Sequence, residues 1–204
     1  MAYIRRPDRY GLYDPAFEHD SCGVGFVAQI QGQSSHTVVD YAKEVLLNMT
    51  HRGAVGAEKN TGDGAGVLTA IPWDFLEAAA SDALGVSLPE RGRYSAGLVF
   101  LPQDALQRER CRERFAAVVA EKGQRLLGWR KVPTDNRTVG PSARLCEPVV
   151  EQVFIAASPE LSQEGFERKL YVIRKRATRE IRGGRDDSDH FFYICSLSTR
   201  VLVY

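Results

Sequence analysis

Short segments in the first third of the chain carry the residue types that could do chemistry. Cys22 stands in the run Asp20–Phe26, after an irregular arm and at the start of a predicted strand. Thr50–Ala54 follows the first predicted helix, and Gly56–Glu58 and Thr61–Gly66 come next. A free thiol has a pKa near ~8.5, so a nucleophilic cysteine at neutral pH needs a nearby base.

Each segment also has an ordinary interpretation when it is considered alone. Arg52 is then a loop arginine. Gly62–Gly66 is a tight turn, because the Lys and Ser/Thr of a phosphate-binding loop are missing. Gly23–Ala28 matches the G-x-G-x-x-A pattern of dinucleotide-binding sites in residue types but not in predicted structure. Its glycines start a predicted strand and do not open a helix. The sequence has no G-x-S-x-G run, which excludes a serine hydrolase of that type.

Charged and cysteine-containing segments elsewhere favour structural roles. Asp186–His190 lacks the spacing and terminal Glu of an EF-hand, so we interpret it as a solvated turn. We find no aromatic interleaving on the polar face formed by the basic residues between Arg168 and Arg185, which favours a charged outer face over a nucleic-acid site. Cys111, Cys146 and Cys195 form no C-x-x-C pair and are expected to be small buried hydrophobes.

Composition sets the broad class. The chain has 204 residues, of which 44% are hydrophobic and 26% are charged, which excludes a disordered chain, a collagen and a coiled coil. Its 27 Lys and Arg nearly balance its 26 Asp and Glu, so the net charge of +1 offers no electrostatic case for nucleic acid or an anionic membrane as a partner. No apolar run resembles a signal peptide or a membrane span, and we expect a cytoplasmic protein.

The elements that must position the N-terminal segments follow an irregular order. Alternating apolar residues predict a strand over Gly23–Ile30, and helical spacing predicts a helix that starts with a capping box at Thr37 and Asp40. The inward face of that helix is Val38, Ala42, Val45, Leu46 and Met49. Further strands are predicted over 67–71, 96–101, 124–132, 149–157, 191–195 and 201–204, with a long polar connection over 133–148. A helix is predicted over 73–80, and two longer helices follow. The first is predicted to have on its inward face Leu106, Phe115, Val118 and Val119. The second is predicted to have one apolar face, lined by Phe166, Leu170, Ile173, Ala177 and Ile181. This order predicts an α+β fold with helices packed on antiparallel sheet.

The last apolar run, Val201–Tyr204, ends without a turn or polar cap. Because domains rarely end on an uncovered strand, we expect a fragment of a longer protein.

Taken together and in this order, Cys22–Phe26, His51–Ala54 and Thr61–Gly66 resemble the start of the glutamate synthase large subunit. The resemblance extends from about Tyr10 to the last residue and is densest over Asp20–Pro72. It implies a class II glutamine amidotransferase domain with the N-terminal-nucleophile hydrolase fold. In that fold, antiparallel sheets lie between helical layers, and here the domain would be C-terminally incomplete.

The resemblance also implies roles for particular residues. Residues 1–21 would be a propeptide or N-terminal arm, and residues 22–204 the N-terminal part of the glutaminase domain. Cys22 would be the catalytic nucleophile, with its own liberated amine as the base. Arg52 would hold the carboxylate of glutamine, and Asp63 would belong to the wall of the substrate site.

For the full-length enzyme, the resemblance implies that ammonia passes to 2-oxoglutarate to make a second glutamate. FMN and an iron–sulfur cluster would serve that reaction outside this fragment, which is expected to hold no cofactor or metal. The expected partners are glutamine, the rest of the large subunit, and a reductase small subunit or ferredoxin.

One feature of the family is missing. Its oxyanion hole uses an Asn-Gly pair, and no Asn-Gly occurs in this chain. Loss of one such donor costs on the order of 10²–10³ in rate, so the fragment is expected to be weakly active or inactive. Two alternatives stay open at this point: a truncated, catalytically inactive interaction module, and an N-terminal-nucleophile hydrolase that acts on a different amide.

Overall fold

The computed structural model describes residues 23–53, 58, 60–62, 64–183 and 191–204. Predicted site residues Cys22 and Asp63, and the acidic segment 186–190, lie outside these ranges. The chain divides into two compact units, Met1–Ala65 and Gly66–Tyr204.

In the first unit, helix α1 (His36–Asn48) is followed by a short 3-10 turn, Thr50–Arg52. The N-cap of α1 is Ser35, whose hydroxyl accepts a hydrogen bond from the Thr37 amide at 3.2 Å. The predicted capping box at Thr37 is therefore wrong. Asp40 instead accepts hydrogen bonds from the neighbouring His36 and Lys43 side chains, at 2.9 and 3.1 Å. Ser35 can cap the helix because its backbone is extended while the next residue is already helical.

The apolar residues of this unit are less buried than the sequence pattern predicts. The residues predicted for the inward face of α1 are partly buried, but none of the thirteen described residues of this helix is fully buried. The described backbone over 23–30 forms no strand, and Val24, Phe26 and Ile30 are 88%, 91% and 96% exposed. The predicted strand over Gly23–Ile30 is therefore wrong here, because alternation marks a possible strand while a partner strand must supply its hydrogen bonds.

In the second unit, the described residues form two antiparallel sheets. The strands are β1 (Leu68–Ala70), β2 (Tyr94–Leu101), β3 (Arg125–Lys131), β4 (Val149–Ala156), β5 (Tyr193–Ser198) and β6 (Val201–Val203). Four of them pair in the order β3-β4-β2-β5, and β1 pairs with β6. The helices are α2 (Trp73–Leu84), α3 (Ala105–Glu121), α4 (Pro141–Leu145) and α5 (Gln163–Arg182).

Helices cover the four-stranded sheet through two apolar clusters. Alternate residues of β2 and β4 point to opposite faces, so Val99 and Ile155 join α3 and α5 in one cluster. Tyr94 and Phe154 join α2 in the other. All five residues predicted for the inward face of α5 are buried. The predicted α+β class, with helices on antiparallel sheet, is confirmed.

Details of three predictions in this unit need correction. Leu106 was assigned to the inward face of its helix but is 63% exposed in the first turn of α3, where Asp104 is the N-cap. The connection over 133–148 contains the short helix α4. Of the cysteines expected to be buried, Cys111 is buried, Cys195 is partly buried and Cys146 is exposed.

Among the helices that the structure describes, none has both the length and the apolar character needed to cross a membrane.

Candidate functional site

Arg52 lies in a tight turn that immediately follows α1. The Met49 amide caps the helix by donating to carbonyls of its last turn, at 3.1 Å for Val45 and for Leu46. The Arg52 amide then donates to the Met49 carbonyl at 2.8 Å, and the Gly53 amide donates to the Thr50 carbonyl at 3.2 Å. The bonds donated by Arg52 and Gly53 each span three residues, so the chain winds tightly here. These bonds fix the backbone of the turn, from which the exposed Arg52 side chain projects.

His51 is held against the end of the same helix. Its ring Nδ1 lies 3.1 Å from the carbonyl oxygen of Asn48, a contact that the sequence alone did not indicate. A carbonyl oxygen can only accept a hydrogen bond, so this geometry requires a proton on Nδ1. The imidazole therefore helps to fix the turn that carries Arg52.

The backbone immediately after Cys22 packs against this turn. A methyl group built on Gly23 would lie 2.9 Å from Sδ of Met49 and 3.4 Å from Cβ of Arg52. The structure therefore brings Gly23 and Arg52 together although 28 residues separate them in the sequence. Of the predicted site residues, Arg52 is described and lies beside the residue that follows Cys22. Cys22 itself and Asp63 are outside the described ranges.

The glycine-rich segment is anchored on each side of Asp63. On the N-terminal side, the Thr61 amide and hydroxyl donate to the carbonyl and carboxylate of Glu58, at 3.0 and 2.9 Å. On the C-terminal side, in the second unit, Val67 and Tyr204 exchange two backbone hydrogen bonds of 2.8 and 2.9 Å.

The other cysteines lack the features of a nucleophile. Burial raises the pKa of the Cys195 thiol, so less of it is thiolate at neutral pH than in a free cysteine. Cys111 lies on the buried face of α3, in the core. Cys146 is exposed, and its thiol contacts the Ser142 carbonyl in α4. Within the described ranges, no group of three or more His, Cys, Asp or Glu side chains is arranged to hold a metal ion.

Sequence reasoning missed Val45 and Met49 as neighbours of the site. It placed both on the inward face of α1 but gave no indication of what they would contact. The available signal was the pair of glycines at 23 and 25, which leave room for side chains from another element.

Comparisons with known proteins identify the family of this chain. The family model "Glutamine amidotransferases class-II" matches residues 22–204, so the match begins at Cys22. The chain is 41% identical over 205 residues to the glutamate synthase [NADPH] large chain of Bacillus subtilis. It is 43% identical over 207 residues to the glutamate synthase [NADH] of Schizosaccharomyces pombe, and 37% over 193 residues to the ferredoxin-dependent glutamate synthase of Spinacia oleracea.

These alignments cover 100%, 97% and 95% of this chain but only 13%, 9% and 12% of the three relatives. The sequence thus spans about a tenth of the length of the curated relatives that it matches. Because the family model accounts for residues 22–204 of 204, the chain belongs to the class II glutamine amidotransferases.

Proposed function

We propose that this chain is the glutaminase domain of a glutamate synthase and hydrolyses glutamine to glutamate and ammonia through Cys22. The observation that carries the proposal is the closeness of Gly23 to Arg52: a methyl group built on Gly23 would lie 3.4 Å from the Arg52 Cβ. Gly23 is bonded directly to Cys22, and the guanidinium of Arg52 can hold a substrate carboxylate. The family match that starts at Cys22 supports the same residue as the nucleophile.

In this proposal, residues 1–21 are a propeptide whose removal turns the Cys22 nitrogen from an amide into an amine. An amide nitrogen cannot accept the thiol proton. An N-terminal amine has a pKa of about 7.7–8.0, close to working pH, where general-base catalysis is efficient. The amine takes the proton of its own thiol, so nucleophile and base belong to one residue.

The reaction then proceeds in two balanced steps. The Cys22 sulfur attacks the side-chain carbonyl carbon of glutamine, and the C–N bond breaks as the amine returns its proton to the departing ammonia. This leaves a glutamyl thioester. Water adds to the thioester carbonyl, the C–S bond breaks, and glutamate leaves with the thiol restored.

Arg52 orients the substrate. A guanidinium binds a carboxylate through two parallel hydrogen bonds, which fix direction as well as charge. Arg52 would hold the α-carboxylate of glutamine, while the opposite end of the substrate presents its amide to Cys22. Asp63, in the anchored glycine-rich segment, would contribute to the wall of the substrate site.

The larger protein would use the released ammonia. The relatives' names describe glutamate synthases that depend on NADPH, NADH or ferredoxin. By analogy, the longer protein would pass ammonia to 2-oxoglutarate, with the rest of the large subunit and a reductase subunit or ferredoxin as partners. The iron–sulfur cluster and FMN would belong to parts of the longer protein outside this sequence. The cytoplasmic location stays a prediction.

A labelling experiment tests the proposal. The purified natural protein is incubated with a glutamine-like diazo-ketone, and the modified residue is identified by mass spectrometry together with the N-terminal residue. We expect one adduct on Cys22, a mature N-terminus at Cys22 and protection by glutamine. If no cysteine is labelled, the inactive interaction module is favoured instead. Protection by other amides but not by glutamine would indicate a different amide substrate.

A further inference from the structure

A segment with two glycines lies along one side of α1. A methyl group built on Gly25 would come 2.5 Å from Cγ1 of Val45, and one built on Gly23 would come 2.9 Å from Sδ of Met49. Cβ atoms in proteins essentially never approach another heavy atom this closely. At both positions, therefore, a side chain from the helix occupies the space that any residue other than glycine would need.

The spacing of the two contacts shows how the segment runs. Gly23 lies next to Met49, and Gly25 lies next to Val45. The segment therefore runs antiparallel to the helix. Its N-terminal end is thus directed toward the Thr50–Arg52 turn, where Cβ and Cγ of Arg52 lie 3.4 and 3.5 Å from the position of a Gly23 methyl.

We infer that these two glycine contacts are positioning contacts, which fix the residue bonded to Cys22 beside the turn that carries Arg52. This inference rests on the proposed function. Cys22 is joined to Gly23 by one peptide bond, so displacement of Gly23 from α1 moves the reacting residue while Arg52 stays on its turn. A misplacement of about 1 Å can cost on the order of 10²-fold in rate.

The two contacts differ in how much they tolerate. Val45 is branched at Cβ and has a strongly preferred side-chain rotamer in a helix, so it cannot easily move away from a new methyl group. Met49 has an unbranched, flexible side chain that can find another rotamer. Gly25→Ala is therefore expected to disturb the site more than Gly23→Ala.

Compensating substitutions in the natural protein test this assignment. For each variant, the labelling rate of Cys22 by the glutamine-like diazo-ketone is divided by its labelling rate with N-ethylmaleimide, and the thermal unfolding midpoint is measured in parallel. A purely structural role would lower the midpoint and leave this ratio unchanged. Leu47→Ala is the matched control, because Leu47 is 69% exposed on the same helix.

We expect Gly25→Ala to lower the ratio by at least about 10-fold and Gly23→Ala by less. Adding Val45→Ala to Gly25→Ala should restore most of the ratio, while adding Met49→Ala should not. For Gly23→Ala, adding Met49→Ala should restore most of the ratio, while adding Val45→Ala should not. Leu47→Ala should match the wild-type protein.

Two failures are distinguishable. Wild-type protein that shows no preference for the glutamine analogue overturns the proposed function. Two other results would overturn the positioning role and leave the proposed function standing. One is that Gly25→Ala keeps the wild-type preference for the glutamine analogue. The other is that Val45→Ala and Met49→Ala restore the preference of Gly25→Ala equally.

Discussion

The two units of the chain are built very differently. In the described part of Met1–Ala65, α1 has no fully buried residue, and the segment after Cys22 exposes Val24, Phe26 and Ile30. In Gly66–Tyr204, two apolar clusters are packed against the four-stranded sheet. The proposed chemistry therefore lies on elements held by a few close contacts, whereas conformational stability comes from the packed second unit. Substitutions in the two units should separate activity from stability.

Cys22→Ser should have the largest effect, and on activity alone. A serine hydroxyl is a much weaker nucleophile than a thiol, so glutamine-dependent turnover should fall by at least about 10³-fold. Glutamate formation from added ammonia by the natural, longer enzyme should persist and serves as the internal control. If glutamine turnover is retained, Cys22 is not the nucleophile.

Phe115→Ala should have the largest effect on stability. Phe115, on the inner face of α3, is fully buried and packs edge-on against Trp129, with ring centroids 5.2 Å apart. Removal of a buried phenyl ring costs about 3–5 kcal/mol of unfolding free energy, which urea denaturation measures. Leu106→Ala on the exposed side of the same helix is the control and should cost less than about 0.5 kcal/mol. Equal losses for both variants would show that burial in the core of the second unit does not set the cost.

Arg52→Ala should have an intermediate effect that appears in substrate binding. Loss of a charge-assisted hydrogen-bonded pair removes about 2–3 kcal/mol, so the KM for glutamine should rise by roughly 30- to 150-fold. Arg52→Lys keeps the charge without the planar fork and should recover only part of the loss. A fall in kcat with unchanged KM would argue against a role in binding the carboxylate.

Glu180→Gln should have the smallest effect, a small loss of stability above about pH 5 that disappears as the pH falls. Arg176 and then Arg114 hold the pKa of Glu180 on α5 below its usual value of 4.5. A carboxyl whose pKa is lowered by folding stabilises the native state above its unfolded pKa, and this stabilisation is lost as pH falls through the folded pKa.

The unfolding free energy of Glu180→Gln should therefore change less than that of the wild-type protein between about pH 5 and about pH 3. The difference should shrink at high salt because the ion pair lies near the surface. Glu160→Gln, at an exposed position, is the control. Parallel acid profiles for Glu180→Gln and the wild-type protein would show that the ion pair does not contribute.

The comparison between units also explains which predictions succeeded. The apolar period over α5 predicted all five of its buried residues, and the β-rich run at Val149 predicted β4 almost to the residue. These elements lie in a packed core, where the apolar pattern and burial agree. The same logic failed over Gly23–Ile30, whose apolar residues are exposed in this structure.

The resemblance carried by three segments correctly predicted the family, and with it the class of N-terminal-nucleophile hydrolases.

By itself, the sequence determined most elements of the second unit, the α+β class and the family, because periodicity and ordered motifs are local properties of a chain. Only the tertiary structure decided that β2 lies between β4 and β5, and that Val45 and Met49 fill the space beside Gly25 and Gly23. A periodic pattern reports that a face will be covered and carries no information about which residues will cover it. The spacing between Gly23 and Arg52 is such a long-range property, since it depends on how a segment and a helix meet in space.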